Sequence, residues 1–95
     1  MINIKESFDK HNTEYAKFDR IGSKVTQRSD LYAFILLDKL CPSTNDIVSC
    51  SEHDEITLNI DPAKLANVAT EEDVVTLIRC GVRYDKSDDC FRMFV

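Results

Sequence analysis

Glycine is scarce in this chain: only Gly22 and Gly81 occur among its 95 residues. A loop that cradles phosphate needs closely spaced glycines, so P-loop and Gly-x-Gly-x-x-Gly sites are excluded, and no Gly-x-Ser-x-Gly nucleophile elbow is present. Long apolar runs are missing too. The longest, residues 31–37, has seven members, far fewer than the roughly 18 that span a bilayer, so no membrane partner is expected. An excess of positive charge is also lacking. Seventeen acidic groups against twelve basic ones leave a net charge of −5 and a pI near 4.9, which argues against a general nucleic-acid binder. The first five residues have no basic-then-apolar leader pattern, and a cytoplasmic location is the expectation.

What is present reads as a single globular domain over 1–95. Apolar residues make up 43% and charged residues 31%, a balance that builds a core without disulfide staples. The four cysteines, Cys41, Cys50, Cys80 and Cys90, are therefore expected as free and mostly buried thiols. Charge is uneven along the chain. Residues 1–28 hold six basic and four acidic groups, whereas residues 29–95 hold six basic and thirteen acidic ones. That asymmetry suits either a solvated surface or attraction between opposite ends of two copies.

Ile4, Phe8, His11, Tyr15, Phe18, Gly22 and Val25 recur at alternating spacings of four and three. The pattern predicts a long amphipathic helix over 1–27, which either runs through Gly22 or stops near Ile21. Ser29-Asp30 then opens a second helix through Leu40, ended by Cys41-Pro42. Its unbroken apolar run calls for cover on more than one side, which makes it the expected central element. Two strands follow, over 47–50 and 55–60, with Ser51-Glu52-His53-Asp54 as a polar loop between them. Asp61-Pro62 starts a short helix, Thr70 caps another over 71–79, and Gly81 closes it. A last hairpin joins residues 82–84 to 90–95. The whole predicts an α+β domain: a long N-terminal helix and a buried second helix on an antiparallel sheet of two hairpins, with further helices between the hairpins and a compact body over 28–95.

Chemistry is sparse. A histidine between carboxylates, with Cys50 three residues before His53, is the most reactive-looking cluster. Cys-x-x-His supplies at most half of a zinc site. The loop Asp85-Lys86-Ser87-Asp88-Asp89 is too short for a helix–loop–helix calcium site and lacks the final Glu. No catalytic residue, metal site or cofactor is assigned.

Three segments, 31–40, 51–55 and 79–85, give the chain a further character. Over about residues 30–95 it resembles small uncharacterised proteins of tailed bacteriophages and prophages. That resemblance implies an accessory factor that binds and modulates a host or phage protein, and it brings no activity with it.

The expected function is therefore a non-catalytic protein-interaction module. Phe8, His11, Tyr15 and Phe18 are the candidate homodimer interface, because a helix of about 23 residues, roughly 35 Å long, would overhang so small a body. Glu52, His53, Asp54 and Glu55 are the candidate partner-binding tip. If His11 faced its own copy, protonation near pH 6 would weaken the dimer. One alternative is a thiol- or zinc-dependent protein using Cys50 and His53. Another is an acidic DNA mimic displaying Asp46, Glu52, Asp54, Glu55, Asp61 and Glu71-Glu72-Asp73.

Overall fold

The computed structural model describes residues 2–22 and 25–94. Asn3 starts α1 (Ile4–Lys10), its side chain accepting the Glu6 N–H at 3.0 Å. Two single 3-10 turns follow at Asn12–Glu14 and Phe18–Arg20, and then α2 (Ser29–Leu40). The hairpin of β1 (Val48–Glu52) and β2 (Glu55–Leu58) precedes α3 (Pro62–Val68) and α4 (Glu71–Arg79). A second hairpin, β3 (Arg83–Asp85) with β4 (Cys90–Phe94), ends the fold. The strands form one antiparallel sheet in the order β1-β2-β4-β3. This is the α+β architecture expected.

The caps expected at Asp61, Thr70 and Gly81 form, because they depend only on near neighbours, whereas Ser29 does not cap α2: it is the first helical residue, and Arg28 before it makes no side-chain cap. Asp61 accepts the Ala63 N–H at 2.9 Å. Thr70 and Asp73 exchange hydrogen bonds in a capping box, and Gly81 takes a φ of +99° that other residues rarely adopt. The core joins both ends of the chain. Ile56, Leu58, Phe91 and Met93 point from the sheet onto Val74, Leu77 and Ile78 of α4, Leu65 of α3 and Phe8 of α1.

Three expectations need correction. First, the long helix over 1–27 does not form. Only Ile4–Lys10 is α-helical, Gly22 lies outside any helix, and residues 23 and 24 lie outside the described residues. Helix α4 has nine residues, about 13 Å of length, so a 35 Å partner would have left its apolar stripe bare. The chain instead turns back, and Ala16, at a φ of +59°, donates its N–H to the Ile78 carbonyl at 3.0 Å. Second, α2 is not the central element. It buries only Ala33 and Leu37 fully, and α4 holds the centre. Third, the loop at 51–54 is shorter than expected. Ser51 and Glu52 continue β1, Glu52 stands opposite Glu55, and His53-Asp54 alone make the turn. Residue 95, the expected end of the last strand, lies outside the described residues.

Candidate functional site

The residues of the expected N-terminal seam part company. Phe8 is 7% exposed and packs its ring against Phe91 and Tyr84, with centroids 5.5 and 6.2 Å away. His11 places Nε2 2.8 Å from Glu71 of its own chain. Phe18 and Tyr32 meet edge to face, their ring centroids 5.8 Å apart. Tyr15 alone keeps substantial exposure, 37%. Phe8 is therefore buried and His11 hydrogen-bonded within their own subunit, while Phe18 is half-buried.

Two carboxylates tie this segment to α4. Glu71 accepts from Ser7 Oγ at 2.8 Å as well as meeting His11. Glu14 accepts from Arg79 and Arg20, each at 2.8 Å. The Arg79 hydrogen bond holds the Glu14 carboxyl below the usual range, and the Ser7 hydroxyl does the same for Glu71. A carboxyl lowered by folding contributes stability that is present above its unfolded value, near 4.5, and that is lost as pH falls through the lowered one. The double variant Glu14→Gln/Glu71→Gln is thus expected to be less stable than the parent at pH 7. The gap between the two closes as pH falls below about 4.5, as read from urea midpoints across that range. A gap independent of pH would mean that the carboxylate charges do not matter.

The hairpin tip is divided. Glu52, His53 and Asp54 are exposed, His53 taking a φ of +53° at the turn. Glu55 instead turns onto the outer face of the sheet, where it pairs with Arg83 and Arg92. Arg92 also binds Asp85 at 3.0 Å and Asp88 at 2.6 Å, so this face carries a connected charge network of two arginines and three carboxylates. Burial raises the Asp85 carboxyl, but the Asp88 and Ser87 N–H groups and Arg92 outweigh it, and the net shift is downward. Asp85, Asp88 and Cys90 bring their ligand atoms within 4.8 Å of one another, the one such group among the described residues. The Arg92 guanidinium already supplies the positive charge there. Among the described residues, Cys50 and His53 belong to no such group. Several acidic residues of the DNA-mimic reading are also employed internally: Asp61 and Asp73 in caps, Glu55 in ion pairs, and Glu71 in hydrogen bonds to Ser7 and His11.

All four thiols are free, and of these only Cys80 is fully buried while Cys50 is exposed. Burial pushes the Cys80 thiol up to about 12 and raises Cys41 and Cys90. A raised thiol is a poor nucleophile at neutral pH.

Besides the exposed Val68 and Phe94, two surfaces of the described residues stand open. The first is the outer side of α2, where Leu31 and Ile35 are 42% and 44% exposed and Val25 just before the helix is 73% exposed. For Leu31 and Ile35 the sequence signal is the seven-residue apolar run, which reads as a sign of deep burial. The second is a cleft of about 420 Å³ between α1 with its following turn and the start of β3. Phe8, Asp9, Asn12 and Tyr15 wall one side, Val82, Arg83 and Tyr84 the other, with Ile78 beside them. No sequence signal marks it, because its walls are about seventy residues apart. Among the described residues no helix is long and apolar enough to cross a membrane. Compared with known proteins, the chain matches no family model, no curated protein and no solved structure.

Proposed function

We propose that the protein is a non-catalytic protein-interaction module, acting in the cytoplasm in the manner of small phage and prophage accessory factors, and that its first partner is a second copy bound through α2. The observation that supports this reading is the pair Leu31 and Ile35, one helical turn apart and both well exposed, on a helix that turns only Ala33 and Leu37 fully inward. Apolar residues four apart share one stripe, and a stripe left bare on a small domain marks an interface.

The charges around the stripe fit a two-fold contact. If two α2 helices cross antiparallel about Ala33, Leu31 of each lies against Ile35 of the other, and Arg28 lies against Asp38. Arg28 and Asp38 are exposed, carry opposite signs and make no ion pair among the described residues. Such an arrangement is self-complementary, as a two-fold interface requires. The accessory role, with a host or phage protein as the further partner, rests on the resemblance of residues 30–95.

Light scattering tests the contact. The parent chain is expected to run as a dimer at about 100 µM, an ordinary strength for a small interface. Leu31→Glu/Ile35→Glu is expected to be monomeric with an unchanged circular dichroism spectrum. Arg28→Glu and Asp38→Arg should each weaken the dimer, and together restore it. A parent chain that is monomeric at that concentration removes self-association from the proposal.

A further inference from the structure

The cleft beside β3 carries an inference that goes beyond dimerisation and does not depend on α2. Strand β3 is at the end of the sheet order and, among the described residues, has β4 as its only strand neighbour. Its far edge is therefore unpaired, and among the described residues no backbone hydrogen bond from outside the sheet reaches Arg83, Tyr84 or Asp85. An open edge is a template for one more strand unless something covers or disrupts it. The opposite edge, β1, is disrupted by a register shift between Val48 and Cys50. That of β3 has no such irregularity, and it runs along a cleft walled by Phe8, Tyr15 and Tyr84.

An apolar trough laid along an open strand suits an extended peptide: alternate backbone groups pair with the edge, and alternate side chains drop into the trough. The charge at the rim selects further. Asp9 is exposed and its carboxylate makes no ion pair or hydrogen bond among the described residues, whereas Arg83, the one cation in the wall, is already paired with Glu55. The free charge of the trough is negative. We infer that this cleft takes an extended segment of a partner protein, added as a strand to β3, with an aromatic or aliphatic side chain among Phe8, Tyr15 and Tyr84 and a basic residue beside Asp9. Three residues of β3 give an edge about 10 Å long, so the bound segment is short, and its specificity comes from the alternating pattern of apolar and basic positions.

The probe is a capped pentapeptide, Val-Phe-Val flanked by a lysine at each end, titrated into the full-length protein and followed by amide NMR. Saturable shifts are expected at Arg83, Tyr84, Asp85 and Asp9. N-methylation of alternate peptide amides is expected to weaken binding about tenfold or more, since it removes the main-chain hydrogen bonds. Asp9→Asn should weaken it about two- to fivefold and flatten its salt dependence. The α2 variant Leu31→Glu/Ile35→Glu should bind the peptide as the parent does, so that failure of the dimer and failure of this site are separable. Three outcomes overturn the proposal: no saturable shift, equal binding of the N-methylated peptide, or shifts at the same amides on raising protein concentration alone, which would assign the cleft to a second copy.

Discussion

Phe8→Ala is expected to cost about 3–5 kcal/mol of folding stability, the range for removing a buried phenylalanine, and to lower the melting temperature by roughly 15–30 °C in a domain of this size. The expectation follows from position. Phe8 is the main apolar anchor of α1, set between Phe91 and Tyr84, and Phe91 has no exposed surface at all. A seven-residue helix does not hold its shape in water without packing, because nucleating a helix costs more than so few hydrogen bonds return. Loss of the ring therefore acts on the whole segment: the Ser7 and His11 contacts to Glu71, and the Ala16 N–H to the Ile78 carbonyl, lose the anchor that holds them in place. Hydrogen exchange at Ala16 should accelerate together with the fall in melting temperature. Tyr15→Ala, by contrast, should change stability by only about 0.5 kcal/mol, as exposed sites do. A Phe8→Ala melting temperature within about 5 °C of the parent would mean that α1 lies outside the cooperative core.

The second large effect concerns the two sides of α2. Leu37→Ala is expected to cost about 2–5 kcal/mol, since it opens a cavity where the side chain has no exposed surface. Ile35→Ala, two residues away on the bare side, should cost about 0.5 kcal/mol in the monomer, and its effect should appear as weakened dimerisation instead. Measured by urea unfolding at low protein concentration, the ratio of the two losses reports which side of α2 faces the core. Equal losses would place Ile35 under cover and remove the stripe on which the proposed dimer rests.

Both experiments probe places where sequence and structure part. The periodicity of Ile4, Phe8, His11, Tyr15, Phe18, Gly22 and Val25 is real, yet it guides the chain only as far as Lys10. Hydrophobic spacing states which residues seek cover, not how much surface the neighbour offers. Here the neighbour, α4, is too short for a long helix, and it provides Ile78 and Arg79 to hold Ala16 and Glu14 in a non-helical path. The apolar run at 31–37 was misleading in the opposite way. It indicates a helix with no polar face over two turns, and in a domain with a radius of gyration of 12.1 Å the core covers Ala33 and Leu37 fully and Tyr32, Phe34 and Leu36 in part, leaving Leu31 and Ile35 bare.

The acidic tip shows a third kind of limit. Glu52, His53, Asp54 and Glu55 are adjacent in sequence and look equivalent. The alternation of β2 nevertheless sends Glu55 to the outer face, where β3 and β4 hold Arg83 and Arg92, while His53 and Asp54 stay at the turn and Glu52, opposite Glu55 on the edge strand β1, is left exposed. Only the pairing of β2 with β4, more than thirty residues on, distinguishes them.

By itself the sequence determined the α+β class, the two hairpins, the helix from Glu71 to Arg79 and its caps, and the absence of glycine-rich phosphate loops. Each of these depends on residues within a turn or two of one another, where local sterics and hydrogen bonding decide. Tertiary structure decided how far the first helix runs, which helix lies at the centre, which carboxylates are paired, and that Phe8 and Tyr84 form a cleft beside an open strand edge. Those outcomes depend on the finite area that distant elements can cover, a quantity set only when the whole chain has packed.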